Sequence, residues 1–99
     1  MAEVVRSSEY AEWEAGLRDE RAKARVIVRI QRLAAGNPGD VKPVGAGISE
    51  LRIDYGPGYR VYFMRRGQAL IVLLCGGDKS SQKQDIANAK KIAERWKSH

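Results

Sequence analysis

The segment Ile48–Gln82, ISELRIDYGPGYRVYFMRRGQALIVLLCGGDKSSQ, decides the fold of this chain because it contains three consecutive strand patterns. Side chains alternate between the two faces of a strand, so the first pattern places Leu51 and Ile53 on one face and Glu50 and Arg52 on the other. The apolar face predicts a side packed on the core, and the polar face predicts a side open to water.

Two further strand patterns follow the first. After the turn signal YGPG at residues 55–58, the run Tyr59–Met64 alternates again and places Arg60 on the same face as Tyr62. The run Ala69–Cys75 is apolar without interruption, which is typical of a central strand covered on both faces. An ordered series of cationic side chains accompanies these strands, and this combination points toward RNA as a ligand.

The segment Gly76–Ser81 follows the last strand. Its glycines predict a sharp exit from the sheet, which places Lys79 at the carboxyl edge just before a helix. Neither this segment nor Gly45–Gly47 has the spacing of a phosphate-binding P-loop, which argues against a nucleotide triphosphatase.

The flanking segments predict supporting elements. The N-terminal part predicts a short strand at Glu3–Arg6, a helix capped by Ser7 or Ser8, a second helix from about Asp19 to Ala35, and an edge strand at Val41–Val44 that contains Pro43. The C-terminal part predicts a helix with a capping box of Ser81 and Gln84. Trp13 and Trp96 stand at helical spacing among apolar neighbours, which favours core packing over base stacking.

Composition limits the classes of protein to consider. The 99 residues predict a single domain, residues 1–99, with a net charge of +6 and a sequence pI near 9.8, which favours polyanions or an acidic protein as partner. The single cysteine, Cys75, excludes an internal disulfide and indicates a reducing cytoplasm. The single histidine is the terminal His99, so we expect no metal site and no cofactor, and no segment is long enough to span a membrane.

The order of these elements and the strings ELRIDYGPGYRVYF and LLCGGDKSSQ resemble the RelE/ParE superfamily of bacterial toxins, and within it the HigB-like group often called addiction module killer proteins. The resemblance covers nearly the whole chain, and its most specific parts are the GYRVYF and GGDKSSQ segments. It implies an α+β, RelE-like domain in which an N-terminal strand and a helical hairpin pack on an antiparallel sheet, followed by a C-terminal helix.

The resemblance also implies four catalytic candidates for metal-independent RNA cleavage. Arg60 matches the arginine of the family's GYR segment, and its guanidinium suits two phosphate oxygens. Lys79 resembles a position where RelE-like relatives carry a basic residue or histidine. Arg52 matches the basic strand before the GYR segment and would line the same side as Arg60 if the two strands pair as a hairpin. Glu50, on the same strand face as Arg52, is the nearest candidate general base. The alternatives are ordinary ion pairs for the arginines, with Glu50 or Asp54 for Arg60, and a solvated loop position for Lys79.

RNA-binding candidates lie around this set. Tyr62 shares the face of Arg60 and is the tyrosine expected to stack on a base, whereas Tyr59 is expected in the core or rim. RelE itself relies on a tyrosine in its last helix, but this chain has Gln82–Asp85 near that place, so the full RelE set is not present. Three lysines of the last helix would track RNA phosphates or simply form a solvated helix face: Lys83, Lys90 and Lys91.

The resemblance leaves the target open, because RelE-like members cleave messenger RNA in the ribosomal A site while ParE-like members poison DNA gyrase with the same fold. We expect the toxin of a type II toxin–antitoxin pair that acts as a ribosome-dependent endoribonuclease, since the cations gather on one sheet face. A gyrase poison and a noncatalytic basic interaction domain are the alternatives. The expected partners are the ribosome with its messenger RNA and a cognate antitoxin, which in HigB-like systems is typically a helix-turn-helix protein.

Overall fold

A computed structural model describes residues 1–97, and His99 lies outside the described residues. The elements follow the predicted order of a strand, two helices, four strands and a final helix. In chain order they are β1 (Glu3–Arg6), α1 (Ser8–Ala15), α2 (Glu20–Ala34), β2 (Val41–Gly45), β3 (Ile48–Ile53), β4 (Tyr59–Arg66), β5 (Leu70–Asp78), a 3-10 turn (Lys79–Ser81) and α3 (Gln82–Lys97).

The five strands form one sheet in the order β1-β5-β4-β3-β2. The pairs β2–β3, β3–β4 and β4–β5 are antiparallel, whereas β1 pairs in parallel with β5, so the sheet is mixed. The apolar β5 lies between β1 and β4, as predicted, and β2 is an edge strand that accommodates Pro43. The α+β class and the order of its elements are therefore confirmed.

The first two helices begin at capping side chains. Ser7 Oγ accepts a hydrogen bond from the Tyr10 amide at 3.0 Å, and Asp19 Oδ1 accepts from the amides of Arg21 and Ala22 at 2.9 and 3.2 Å. The second predicted helix is correct to within one residue at each end. Within residues 1–97, no helix has both the length and the apolar character needed to cross a membrane.

Each face of the sheet is covered by helices. The face under α1 and α2, called the hairpin face, carries one buried cluster: Tyr10, Val26, Ile30, Leu33, Leu51, Ile53, Val61, Phe63, Ile71 and Leu73. The face under α3, called the α3 face, carries the second: Ile48, Tyr62, Met64, Val72, Leu74, Cys75, Ala89, Ile92 and Ala93. Trp13 packs on the first cluster and Trp96 on the second, as predicted.

The prediction that the polar face of β3 is open to water was wrong at Glu50. Because α3 crosses this face, Glu50 and its cross-strand neighbour Tyr62 both have 0% exposed surface. The polar side chain that the alternation assigned to solvent is thus part of the interior.

A bulge in β5 sets the orientation of the residues that follow it. Tyr62 pairs with Cys75 while Phe63 pairs with Leu73, so Leu74 is the extra residue. Leu74 and Cys75 consequently both belong to the cluster on the α3 face. The bulge reverses the facing of the strand from this point onward.

The two glycines after the bulge lie inside the strand, so the prediction that they form its exit was wrong. β5 continues through Gly76 and Gly77 to Asp78. A Cβ atom on Gly76 would lie 2.3 Å from Trp13 Cε3, and one on Gly77 would lie 1.8 Å from Asp85 Oδ2. The absent side chains allow α1 to approach one face of the sheet and α3 to approach the other.

The connection between β5 and α3 is fixed by Asp78. Asp78 and Ser81 form a capping box that belongs to the 3-10 turn. Gln84, which was predicted to complete a box with Ser81, instead donates from Nε2 to Asn88 Oδ1 at 3.1 Å. A hydrogen bond from the Ser80 hydroxyl, aided by backbone amides, holds the pKa of Asp78 below its ordinary value. Ser81 Oγ in turn donates to Asp85 Oδ2 at 2.5 Å, which ties the turn to the first turn of α3.

Candidate active site

The hairpin of β3 and β4 places four of the predicted site residues on the α3 face of the sheet. In its register Glu50 lies opposite Tyr62, and Arg52 lies opposite Arg60. The expectation that Arg52 and Arg60 share a side is therefore confirmed. Gly77 of β5 is the neighbour of Arg60 on the other side, so no side chain from β5 stands beside the guanidinium stem.

The carboxylate of Glu50 is the buried centre of this group. Its Oε2 accepts hydrogen bonds from the Tyr62 hydroxyl at 3.0 Å and from the Gln82 side-chain amide at 2.8 Å. Its Oε1 lies 3.7 Å from Arg60 Nη1 and has no hydrogen-bond partner. Glu50 is thus held by two neutral donors on one oxygen and faces a cation with the other.

Arg60 is mostly buried and incompletely bonded. Its side chain is 12% exposed, and its Nε atom has no hydrogen-bond partner. The distance of 3.7 Å to Glu50 exceeds that of a hydrogen bond, so the attraction is electrostatic and leaves guanidinium N–H groups unused. The ion pair with Glu50 that was considered as an alternative does form, but inside the protein and not on a wet sheet surface.

Tyr62 does not fit the predicted role of base stacking. Stacking needs an exposed ring face, and Tyr62 has none because α3 covers it. Burial, and after it the charge of Glu50, raises the pKa of the Tyr62 hydroxyl above its ordinary value, so this group remains a proton donor to the carboxylate. The structure places Tyr62 as a support for Glu50.

Gln82 is a site residue that sequence reasoning missed. It is the first residue of α3, close to where RelE has its tyrosine, and its amide reaches Glu50 from a position 32 residues further along the chain. No motif or spacing links these two positions. The contact exists only because the end of β5 delivers α3 onto the strand that carries Glu50.

Arg52 forms an ion pair of the ordinary cross-strand kind that was its alternative, with Asp40 as the partner. Its Nη2 lies 3.2 Å from Asp40 Oδ1, just before β2, and its side chain is 38% exposed. A pair this exposed is weak in water and is open to competition from another anion. Arg52 is therefore available at the rim, beside the more deeply placed Arg60.

Lys79 lies at the same end of the sheet. Gly77 pairs with Arg60 and Asp78 pairs with Tyr59, so Lys79 lies two residues beyond the cross-strand neighbour of Arg60. A Cβ atom on Gly58 would lie 3.5 Å from Lys79 Cβ, which places this lysine against the β3–β4 turn. The side chain is exposed. The register brings the three predicted cations of the site, Arg52, Arg60 and Lys79, to one end of the sheet.

The predicted RNA-binding lysines all lie on the outer surface of α3. They are exposed, and about two turns of helix separate the first from the adjacent pair that follows it: Lys83, Lys90 and Lys91. The Lys90 side chain lies over the β2–β3 turn, where its Nζ is 3.7 Å from the Cβ position of Gly45. Within the described residues, none of the three hydrogen-bonds or ion-pairs with Glu50.

Other groups near the site are not arranged for catalysis. Within residues 1–97, no three His, Cys, Asp or Glu side chains come together as metal ligands would. Burial, followed by the charge of Asp85, raises the pKa of the Cys75 thiol to about 12, and its Sγ lies 3.5 Å from the Asp85 carbonyl oxygen. A thiol of this pKa is not a nucleophile at neutral pH.

The fold and the site define a small α+β domain of the RelE-like kind with a cation-rich sheet end. Residues 17–97 match the family described as phage-derived protein Gp49-like (DUF891), and the chain belongs to this family. It is also 54% identical, over 82 residues that cover 83% of each chain, to an uncharacterized protein of Haemophilus influenzae.

Proposed function

We propose that this protein is the toxin of a type II toxin–antitoxin pair and acts as a ribosome-dependent, metal-independent endonuclease of messenger RNA. The observation that carries the proposal is the state of Arg60. It is a largely buried cation whose one ionic partner within residues 1–97, Glu50, leaves part of its hydrogen-bonding capacity unused. Such a group is ready to bind a phosphate without first breaking a network.

The chemistry follows from the charge that develops during cleavage. When the 2′-hydroxyl attacks its own phosphate, a second negative charge builds on the nonbridging oxygens and then moves to the leaving 5′-oxygen. Arg60 would stabilise the first charge, and the exposed Lys79 would hold the phosphate or protonate the leaving oxygen. Arg52 would exchange its weak pair with Asp40 for a phosphate at the rim.

Glu50 has a supporting role in this proposal. It has 0% exposed surface, so it does not reach a phosphate from its present position and is assigned here as the residue that positions Arg60. Tyr62 and Gln82 fix the carboxylate by their hydrogen bonds. The general base is then the solvent or a group of the ribosome.

Family membership and the resemblance to addiction module killer proteins support the toxin part of the proposal. The partners it implies are a cognate antitoxin of the helix-turn-helix type, the ribosome and a translated message in the cytoplasm. The convergence of Arg52, Arg60 and Lys79 favours a nuclease over a gyrase poison, because an inhibitor that binds protein needs no phosphate cradle.

The test is to induce the protein in a bacterial host and to map new 5′ ends in messenger RNA for wild type, Arg60→Ala and Lys79→Ala. Lys42→Ala, which removes an exposed cation from the edge strand, is the matched control. We expect codon-phased cuts in translated messages for wild type and control. The frequency of these cuts should fall by about a hundredfold or more in Arg60→Ala, and it should also fall in Lys79→Ala. Growth arrest with intact messages and an induced DNA-damage response would instead indicate a gyrase poison. A protein that binds RNA but neither cuts messages nor arrests growth would indicate a noncatalytic interaction domain.

A further inference from the structure

The outer surface of α2 carries a groove that the proposed nuclease site does not use. It has a volume of about 650 Å³ and runs between α2 and the end of β3. The one carboxylate in its lining is Asp54. Its cationic lining comes from four arginines of α2 spaced along one side of the helix: Arg21, Arg25, Arg29 and Arg32. Positions three and four apart share a helix face, so these charges form one ridge.

The floor of this groove is apolar. It is formed by Ala24, Val28 and Ile53. Val28 is 42% exposed and, apart from Met1, is the one large hydrophobic side chain of residues 1–97 that is exposed. Its neighbours on the inner side of the helix, such as Val26 and Ile30, are buried against the sheet, so Val28 has no role in this core.

Two of the arginines are held in place. Arg29 donates to the carbonyl oxygens of Arg52 and Pro38 at 2.8 and 3.0 Å, which fixes α2 to the sheet. The Arg25 guanidinium lies 4.6 Å from the centre of the Tyr55 ring. The remaining two, Arg21 and Arg32, are exposed and form no salt bridge in the described part of the chain.

We infer that the α2 groove is the docking surface for an acidic, amphipathic segment of a partner protein. The arginine ridge fits carboxylates, and the strip of Ala24, Val28 and Ile53 fits the apolar stripe of a helix or strand. A nucleic-acid backbone would use the charges but would leave the apolar floor unpaired.

Placement gives this surface a consequence. The α2 groove lies over the hairpin face of the sheet, whereas Glu50 and Arg60 lie on the α3 face. If the proposed function holds, the segment belongs to the antitoxin, and this last step rests on that proposal. Such an antitoxin would bind the side of the sheet opposite to Arg60 and leave Arg60 uncovered. It would keep the toxin out of the ribosome by steric hindrance.

The test measures binding of three probes to the full chain by calorimetry at low and moderate salt. The first is a synthetic helical peptide with glutamates on one face and leucines on the other. The second is the same peptide with its leucines replaced by serine, and the third is a short RNA duplex. We expect the first peptide to bind at least about tenfold more tightly than the serine peptide. Substitutions in the groove should leave binding of the RNA duplex unchanged, since the site cations and the α3 lysines are available to its phosphates.

Two groove variants should weaken binding of the first peptide. Arg21→Gln/Arg32→Gln removes two charges, and Val28→Ser removes the apolar contact without changing the charge; each should cost about tenfold in affinity. The control Lys42→Gln/Arg65→Gln removes two exposed cations elsewhere and should change affinity by less than about twofold. Circular dichroism of each variant verifies that the helices remain.

Equal binding of the two peptides, unchanged affinity for the first peptide in the groove variants, or tighter binding of the RNA duplex through the same residues would each overturn the inference. The readout is peptide binding and not RNA cleavage. Failure of the nuclease proposal would therefore leave a positive result standing, and a protein that cuts RNA but binds neither peptide would refute only the groove.

Discussion

Arg60 and Glu50 form a buried ion pair without a hydrogen bond between them. Arg60 Nη1 and Glu50 Oε1 are 3.7 Å apart, and both Arg60 Nε and Glu50 Oε1 are buried without a hydrogen-bond partner. A buried polar atom left unpaired costs about 1 to 3 kcal/mol, so two of them at one place are expensive for a domain of this size. Departures of this kind concentrate at functional sites, where the unused bonding capacity serves a ligand.

Replacing Glu50 by glutamine should destabilise the protein strongly. Glutamine keeps the shape but removes the charge that faces Arg60, which leaves a mostly buried cation without its counterion. We expect the free energy of unfolding in urea to fall by about 2 to 4 kcal/mol. The double variant Glu50→Gln/Arg60→Met removes both charges and should recover part of this loss. A single variant as stable as wild type would show that the ion pair contributes nothing to folding.

Adding one methyl group at Gly76 should destabilise the protein, because the Trp13 ring occupies the place of the new Cβ atom. The new Cβ would lie 2.3 Å from Trp13 Cε3, and the ring is confined between α1 and the sheet. We expect Gly76→Ala to lower the free energy of unfolding by at least about 2 kcal/mol. Thermal unfolding should record this loss as a lower midpoint temperature. Gly16→Ala is the control, because Gly16 has a φ of −80° at the end of α1, and it should change stability by less than about 0.5 kcal/mol.

Two buried tyrosines should make the fold sensitive to base. Burial, followed by the neighbouring carboxylates Glu14 and Glu50, raises the pKa of Tyr10 and Tyr62 above the ordinary value near 10. A group whose pKa is raised by folding stabilises the native state below its unfolded pKa, and this contribution is lost as the pH rises further. Stability should therefore fall steadily above about pH 10.

Ultraviolet absorbance of tyrosinate, recorded together with circular dichroism, tests this prediction. The late part of the absorbance change should coincide with loss of structure, and Tyr62→Phe should diminish its amplitude. Tyr62→Phe should also cost about 1 to 2 kcal/mol at neutral pH, because Glu50 Oε2 loses one of its two donors. Complete tyrosine ionisation in a still folded protein would contradict the burial of these hydroxyls.

The lysines of α3 should govern the salt dependence of ribosome binding. A plot of the logarithm of the binding constant against the logarithm of the salt concentration has a negative slope. We expect this slope to be less steep by roughly 2 to 3 in the triple variant Lys83→Ala/Lys90→Ala/Lys91→Ala. The cleavage pattern should stay the same, since these side chains are exposed and, within residues 1–97, neither hydrogen-bond nor ion-pair with Glu50. The matched control removes three exposed cations elsewhere: Arg18, Lys42 and Arg65. A triple α3 variant with an unchanged slope would exclude a phosphate-tracking role.

The elements of the fold could be predicted from local patterns. Alternation in β3 and β4 and the cap signal at Ser7 or Ser8 are properties of neighbouring residues, and they predicted the strands and the start of α1 closely. The shared face of Arg52 and Arg60 followed from the same alternation. The position of Lys79 at the carboxyl edge of the sheet also survived, although the strand ends later than predicted.

The composition of the site depended on tertiary structure. Alternation within the sequence assigned Glu50 to the same face of β3 as Arg52 and Tyr62 to the same face of β4 as Arg60. The packing of α3 made the shared face of the sheet interior at Glu50 and Tyr62, which changed both residues from surface groups to buried ones. The bulge at Leu74 turned Gly77 toward Asp85, and the end of β5 brought Gln82 to Glu50. Contacts between residues tens of positions apart leave no period or spacing in the chain, because they arise from how complete elements pack.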